Sequence, residues 1–353
     1  MDNANNGGYD TRPPGPPVPI PQPAAPRKRT GWRIFWGVVL TLSILANVFL
    51  LFVVLAVVSL FVAGSGDVFE SRRDGFAEEV LVRGPAYQKI AVIRIEGIID
   101  GVQSERFRKQ LRIAANDENV HAVIVRTLTP GGTIAGSDQI HHEITKFRKQ
   151  TGKPIVAFMQ SVAASGGYYT SVACDTIVAE PTVITGSIGV IMNSLVIKEL
   201  LEDKLGIQPI TIKSGPRKDW PSMFTEVTEE QKQYLFDKII SPAYERFVSI
   251  VDEGREGLSE QQVRQLADGS IFAAEEAREN GLVDEIGYFE DVVRITEQLA
   301  GIRDAKVVEY TRLFSLTALF GGMQSGTAGP WQTHRDALHE LTMPQLMYLW
   351  EGR

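Results

Sequence analysis

Cysteine is all but missing from this chain: of 353 residues, only Cys174 carries a thiol. That excludes an intramolecular disulfide framework and any zinc site built on two or more thiolates. Histidine is scarce as well, with His121, His141, His142, His334 and His339 the full set. His141 and His142 stand beside Glu143 in a helical stretch, where an exposed polar face is the plain expectation, so a Ser-His-Asp triad lacks an obvious histidine. There is no Walker phosphate loop, G-x-G-x-x-G, H-E-x-x-H or G-x-S-x-G elbow, and no internal repeat. The net charge of −7 argues against a general nucleic-acid binder. With 44% hydrophobic and 22% charged residues, the composition is ordinary globular usage, which excludes wholesale disorder and a polytopic membrane protein.

Charge itself is absent from residues 34–66. Within them, Ile34–Ala63 reads IFWGVVLTLSILANVFLLFVVLAVVSLFVA, longer than the about 20 residues a helix needs to cross the hydrocarbon core. It is also longer than the apolar region of a cleaved secretory signal, about 7–15 residues. Asn47 lies mid-span, either a tolerated amide or a hydrogen-bonding partner for another helix. Before the span, Arg12, Arg27, Lys28, Arg29 and Arg33 face only Asp2 and Asp10. Lysine and arginine are retained on the cytoplasmic side, so the head is expected in the cytoplasm and the acidic body outside. Residues 13–26 hold eight prolines, which suits a solvated polyproline tail. The expected segments are a Pro-rich basic tail (1–33), a transmembrane helix (34–63), a linker (64–88), a catalytic body (89–310) and an apolar tail (311–353).

The body alternates short apolar runs with helical patterns. Strands are expected at Ile90–Ile95, His121–Leu128, Pro154–Met159, Asp175–Glu180 and Ile207–Lys213; helices are expected around Glu105–Ala114, Ser137–Gln150, Ser165–Cys174 and Leu195–Leu205. Such spacing indicates βαβ units. Beyond Thr228 the pattern becomes mostly helical, at Glu229–Glu253, Ser259–Ala267, Ala273–Asn280 and Glu290–Leu299. The fold class is therefore α/β with a helical extension, preceded by one transmembrane helix.

Three segments carry chemistry. In SVAASGGYY, residues 161–169, Ser165 joins a buried strand to a helix N-terminus, where backbone N–H groups favour negative charge; a plain N-cap explains the serine equally. In Thr129-Pro130-Gly131-Gly132 a second strand-to-helix turn frees backbone amides, and an oxyanion hole needs two donors on one point; a type II turn is the alternative. The third is the basic loop KSGPRKDW, residues 213–220. A lysine replaces histidine as general base when burial away from carboxylates leaves it neutral, a shift worth about 4 kcal/mol. A solvated basic loop is the simpler reading of that segment alone.

Together TPGG (129–132), ASGGYY (164–169), TGSIGVI (185–191), KSGPRKDW (213–220) and ADGSIFAAEEARENGLVDEIG (267–287) resemble, in order, the signal peptide peptidase A family. These are Ser/Lys membrane-bound serine peptidases of Clp/crotonase-like fold, and the resemblance covers roughly residues 90–301. It implies Ser165 as nucleophile, Lys218 rather than Lys213 as general base, Ser187 as the residue orienting the lysine, and Gly132 and Gly166 as oxyanion donors. Leu128-Thr129 departs from the family's usual Asn-Ser before Pro-Gly-Gly, which puts the subsite preference in question while leaving the Gly131 and Gly132 amides as donors. The resemblance further implies acyl-enzyme hydrolysis of peptides, cleaved signal peptides above all, without metal or cofactor. It also implies a ring-like octamer at the lipid bilayer whose serine and lysine can come from neighbouring subunits. Quality control of misfolded polypeptides, a catalytically silent scaffold and a crotonase-type acyl-CoA enzyme are the competing readings. The apolar tail, including MPQLMYLW at 343–350, is expected to dock on a subunit or line a groove.

Overall fold

The computed structural model describes residues 30–64, 72–73, 75–312 and 345–352. The proline-rich head and the segment LFSLTALFGGM of the tail lie outside the described residues. The chain forms two compact units, Met1–Ser65 and Gly66–Arg353.

The first unit holds α1 (Thr30–Gly64). Its stretch Ile34–Ala56 is 23 residues long and has no buried side chain, and at about 1.5 Å per residue it is long and apolar enough to cross a bilayer. The Asn47 amide donates to the Ser43 carbonyl at 2.7 Å, one turn back in the same helix.

In the second unit, β3 (Lys89–Glu96), β4 (Val120–Thr129), β6 (Ile155–Ala164) and β7 (Thr176–Ala179) run parallel side by side. Between them lie α2 (Gly101–Asn116), α3 (Ile134–Thr151) and the short α4 (Gly166–Ser171). The apolar runs form strands buried on both faces. Along β3, Ala91, Ile93 and Ile95 pack into one cluster with Phe107 of α2 and Ile140 of α3. Ile90 and Val92 pack oppositely, with Val292 and Ile295 of α9 (Phe289–Ala300), as the two-residue period of a strand requires. Thr133 caps α3 through the Gly136 amide, and Gly152 ends it in the left-handed conformation.

Two expectations are corrected. Residues 76–82, expected within a linker, form β2 (Phe76–Val82), which pairs antiparallel with β12 (Lys306–Arg312), itself parallel to β3. Buried Glu78 on β2 receives the Lys89 ammonium at 3.0 Å, so this strand belongs to the core. Conversely, the strand expected over 207–213 does not form. Pro209 lacks the amide a ladder needs, and Ile210 and Ile212 stand 85% and 96% exposed.

The remaining strands are short: β1 (Arg72–Arg73), β5 (Gly131–Thr133), β8 (Ile184–Gly186), β9 (Ile191–Asn193), β10 (Ile271–Ala273), β11 (Glu285–Ile286) and β13 (Gln345–Leu349). β5, β13 and β9 make a small second sheet with β13 in the middle. The helical extension consists of α5 (Glu229–Leu235), α6 (Ser241–Gly254) and α7 (Glu260–Leu266), with α8 (Ala274–Glu279) following β10.

Candidate active site

β6 ends in two alanines, and β8 lies parallel beside it with Ala164 opposite Gly186. The next residue on each strand is a serine, so Ser165 and Ser187 emerge together at the C-terminal ends of neighbouring strands. Both have positive φ, 53° and 48°, a conformation non-glycine residues adopt only when their surroundings impose it. The surroundings are visible. The Ser165 amide donates to Gly186 O at 2.8 Å, the Tyr169 amide to Ser165 O at 2.8 Å, and the Ser187 amide to Ser270 O at 2.7 Å. Ser165 is 1% exposed and precedes α4 with ψ −111°, yet its side chain caps no amide of that helix. The plain N-cap reading fails on this geometry.

The Thr-Pro-Gly-Gly segment is not a free turn, because Gly131 and Gly132 lie in β5. Ile99 N–H donates to Gly131 O at 2.9 Å, and Thr133 N–H donates to Ile99 O at 2.8 Å. This bridge leaves the Gly132 N–H on the opposite edge of β5, the edge that pairs with β13. The Gly131 N–H is committed to Thr129 Oγ1 at 3.0 Å, which leaves Gly132 and Gly166 as the glycine amides expected to act as donors. A Cβ placed on Gly166 would come 3.2 Å from Gly132 N and 2.5 Å from Ser137 Oγ, and one on Gly131 would come 2.8 Å from Gly166 N. The two amides expected as oxyanion donors are thus packed side by side, at a spacing only glycine permits.

Comparison with known proteins identifies the family. The profile described as "Peptidase family S49" matches residues 147–303. A protein of Enterococcus faecium provisionally named signal peptide peptidase SppA is 37% identical over 244 residues, covering 66% of this chain and 70% of the relative. The chain belongs to peptidase family S49.

Within the same comparisons, the chloroplastic serine protease SPPA of Arabidopsis thaliana is 30% identical over 272 residues, covering 73% of this chain and 40% of that protein. A solved mutant of the membrane-bound stomatin-specific protease 1510-N aligns over 59% of this chain and 84% of its own, at 16% identity and a TM-score of 0.38. Family S49 membership and the protease names of the relatives support a serine peptidase.

Of the S49 site residues expected from sequence, Ser165, Ser187, Gly132 and Gly166 converge, and Lys218 does not join them. Lys218 is exposed, and among the described residues its ammonium has no hydrogen-bond or ion-pair partner. Lys213 is held by Asp219 at 2.8 and 3.0 Å, and that hydrogen bond draws the Asp219 carboxyl below its ordinary range. A cavity of about 660 Å³ opens beside Ser187, walled by Ile191, Asn193, Phe236, Tyr244 and Leu349, and no lysine lines it.

A polar cluster behind α4 was not expected from the residue pattern. Tyr169 OH donates to Asp138 Oδ1 at 2.7 Å, and Arg246 Nε reaches the same oxygen at 2.8 Å. Burial works to raise the Asp138 carboxyl, but these two donors outweigh it and hold it below the ordinary range. His141, expected on an exposed face, packs edge-on against the Tyr169 ring at 5.4 Å. Burial pulls its imidazole down to about 4, against the opposing charge of Asp138. The unfolded chain takes up this proton near pH 6.5, whereas the folded chain does so only near 4. Stability is therefore full above about pH 6.5 and falls as pH drops toward 4. Thermal midpoints measured across that range should show the loss in the parent and a flatter profile in His141→Gln.

A second expectation concerns the glycine pair. Gly166→Ala forces a Cβ against Ser137 Oγ and the Gly132 amide; if that amide is the oxyanion donor expected from sequence, kcat should fall by about 10²–10³-fold. Steady-state kinetics would show the loss in kcat with KM changed far less.

Proposed function

We propose that the chain is a membrane-anchored serine endopeptidase of the Ser/Lys type. Ser165 attacks the peptide carbonyl, Gly132 and Gly166 N–H groups hold the developing oxyanion, and Lys218, oriented by Ser187, takes the Ser165 proton and passes it to the leaving amine. Water then hydrolyses the acyl-enzyme. The observation that carries this reading is the backbone of Ser165: buried, at φ 53°, capping nothing, and beside two glycine amides. Its substrates are cleaved signal peptides and other apolar unfolded peptides, and the body stands outside the membrane with the basic head inside.

The exposure of Lys218 supports a base supplied by a neighbouring copy. Leu195, Leu200, Leu205, Ile207, Ile210 and Ile212, between the Ser187 turn and the Lys218 loop, are all more than half exposed, an apolar surface suited to a subunit contact. In a ring-like homo-octamer such a contact would bury Lys218 beside Ser187 and away from carboxylates, as a lysine base requires. The test is cleavage. Full-length protein in detergent should hydrolyse an unfolded apolar peptide, and Ser165→Ala should not. An assembled parent that is inert to a broad peptide library and to serine-directed probes would favour the silent scaffold.

A further inference from the structure

Thr129 ends β4, fully buried, where the pairing of that strand with β6 slips: Thr127 lies opposite Met159, but Thr129 lies opposite Ala163, two residues before Ser165. Both ends of its side chain are engaged. The hydroxyl accepts the Gly131 N–H at 3.0 Å and donates to Gly97 O, with Gly131 O a second acceptor at 3.1 Å. The methyl lies against the start of α4, since a Cβ placed on Gly167 would come 2.8 Å from Thr129 Cγ2. One side chain therefore touches both glycine segments expected to supply the oxyanion donors. It reaches the first by a hydrogen bond next to Gly132 and the second by packing next to Gly166.

The hydrogen bond matters because of where Gly131 stands. Its φ of 109° lies in the region that glycine alone occupies freely, and it has no side chain to restrict its own torsions. Two bonds restrict them instead. The Thr129 hydroxyl pins the peptide that enters Gly131, and the Ile99 N–H, donating to Gly131 O at 2.9 Å, pins the peptide that leaves it and carries the Gly132 amide. Pro130 has no N–H to contribute. The acceptor side is anchored as well: Gly97, whose carbonyl takes the Thr129 proton, donates its own N–H to Leu128 O at 3.0 Å. Removing the hydroxyl leaves the buried Gly131 N–H and Gly97 O without this partner, and one of the two constraints on Gly131 is gone.

We propose that Thr129 is a positioning residue for the oxyanion hole. Its hydroxyl fixes the peptide entering Gly131, and through it the direction of the Gly132 amide, while its methyl seats Gly166 and Gly167 at the start of α4. This rests on the Ser165 peptidase reading with Gly132 and Gly166 as donors. Thr129 acts through those two amides, not on the reacting atoms. What it governs is the alignment of donors with a charge that develops only in the transition state. Its hydroxyl is therefore worth more to kcat than to the binding of intact peptide. Threonine combines two contributions that simpler side chains separate: serine keeps the hydroxyl, and valine keeps the methyl and the volume.

The experiment compares side chains with and without the hydroxyl, in full-length protein in detergent. On an unfolded apolar peptide, Thr129→Val should lower kcat by about 10–100-fold with KM within about threefold, and Thr129→Ser should stay within about threefold of the parent in both. A peptide boronate, whose tetrahedral adduct on the serine presents an oxygen to the same amides, should bind Thr129→Val more weakly by the factor lost from kcat. A variant that is merely less stable would not show that match. If Thr129→Val does not fold, Thr129→Ser and Thr129→Ala differ in the hydroxyl alone, and the alanine form should show the loss in kcat relative to the serine form. Serine and alanine forms of equal kcat, or a valine form with parental kcat while Ser165→Ala is inert, overturn the positioning role and leave the peptidase reading intact. A parent that cleaves no peptide, or a Ser165→Ala variant that cleaves as the parent does, removes that reading and this inference with it.

Discussion

Ser165→Ala is expected to lower kcat by about 10⁵-fold, because removing a nucleophile costs as much as removing the whole catalytic group. What remains would be the contribution of the Gly132 and Gly166 amides and of substrate positioning. The fold should be untouched: the hydroxyl caps no helix amide, and the Ser165 main chain keeps its bonds to Gly186 and Tyr169. Circular dichroism and thermal midpoint should therefore match the parent while peptide hydrolysis and labelling by a fluorophosphonate probe disappear. An alanine variant retaining a tenth of parental kcat would mean the nucleophile lies elsewhere, with Ser187 the next serine to replace.

Lys218→Ala should be as inactive, and the informative measurement is a mixture. If the base reaches Ser165 from a neighbouring copy, each working site needs an intact serine from one chain and an intact lysine from the next. Co-assembling equal amounts of Ser165→Ala and Lys218→Ala chains then restores about a quarter of parental activity, because random heterologous pairing makes that share of the interfaces intact. Two dead variants that stay dead when co-assembled would place serine and lysine in the same chain. Lys213→Ala should remain active in either case. The Lys213 ammonium is taken up by the Asp219 carboxylate at 2.8 Å, which leaves it engaged away from any serine hydroxyl.

Much of this was legible in the sequence, for reasons that also explain where legibility ended. The parallel strands are buried on both faces, so HAVIVRTL and PIVAFM announced themselves as continuous apolar runs. Ser165 was legible because small residues, a serine and two glycines between a strand and a helix answer a local steric demand. The TPGG segment was located, but nothing local reveals that the Thr129 hydroxyl occupies the Gly131 amide. IQPITIK at 207–213 has a strand's composition, but Pro209 spoils the ladder and no described strand lies alongside. The burial of His141 depends on Tyr169 and on Arg246 of α6, more than a hundred residues away. The docking of the tail was expected from its apolar character, yet its register against Gly132 spans more than two hundred residues and leaves no trace in periodicity.

The position of Tyr169 has one further consequence. It lies on α4, the six-residue helix that Ser165 introduces, and its amide bonds the Ser165 carbonyl. One side of the enclosure around Tyr348 is therefore tied to the main chain of Ser165: a change that tilts Tyr169 pulls on the bond to the Ser165 carbonyl. The opposite wall, Phe247 and the Ala243 carbonyl, comes from α6 and bears no such tether. The enclosure of Tyr348 is then held unequally, through the Ser165 main chain on the α4 side and independently of it on the α6 side.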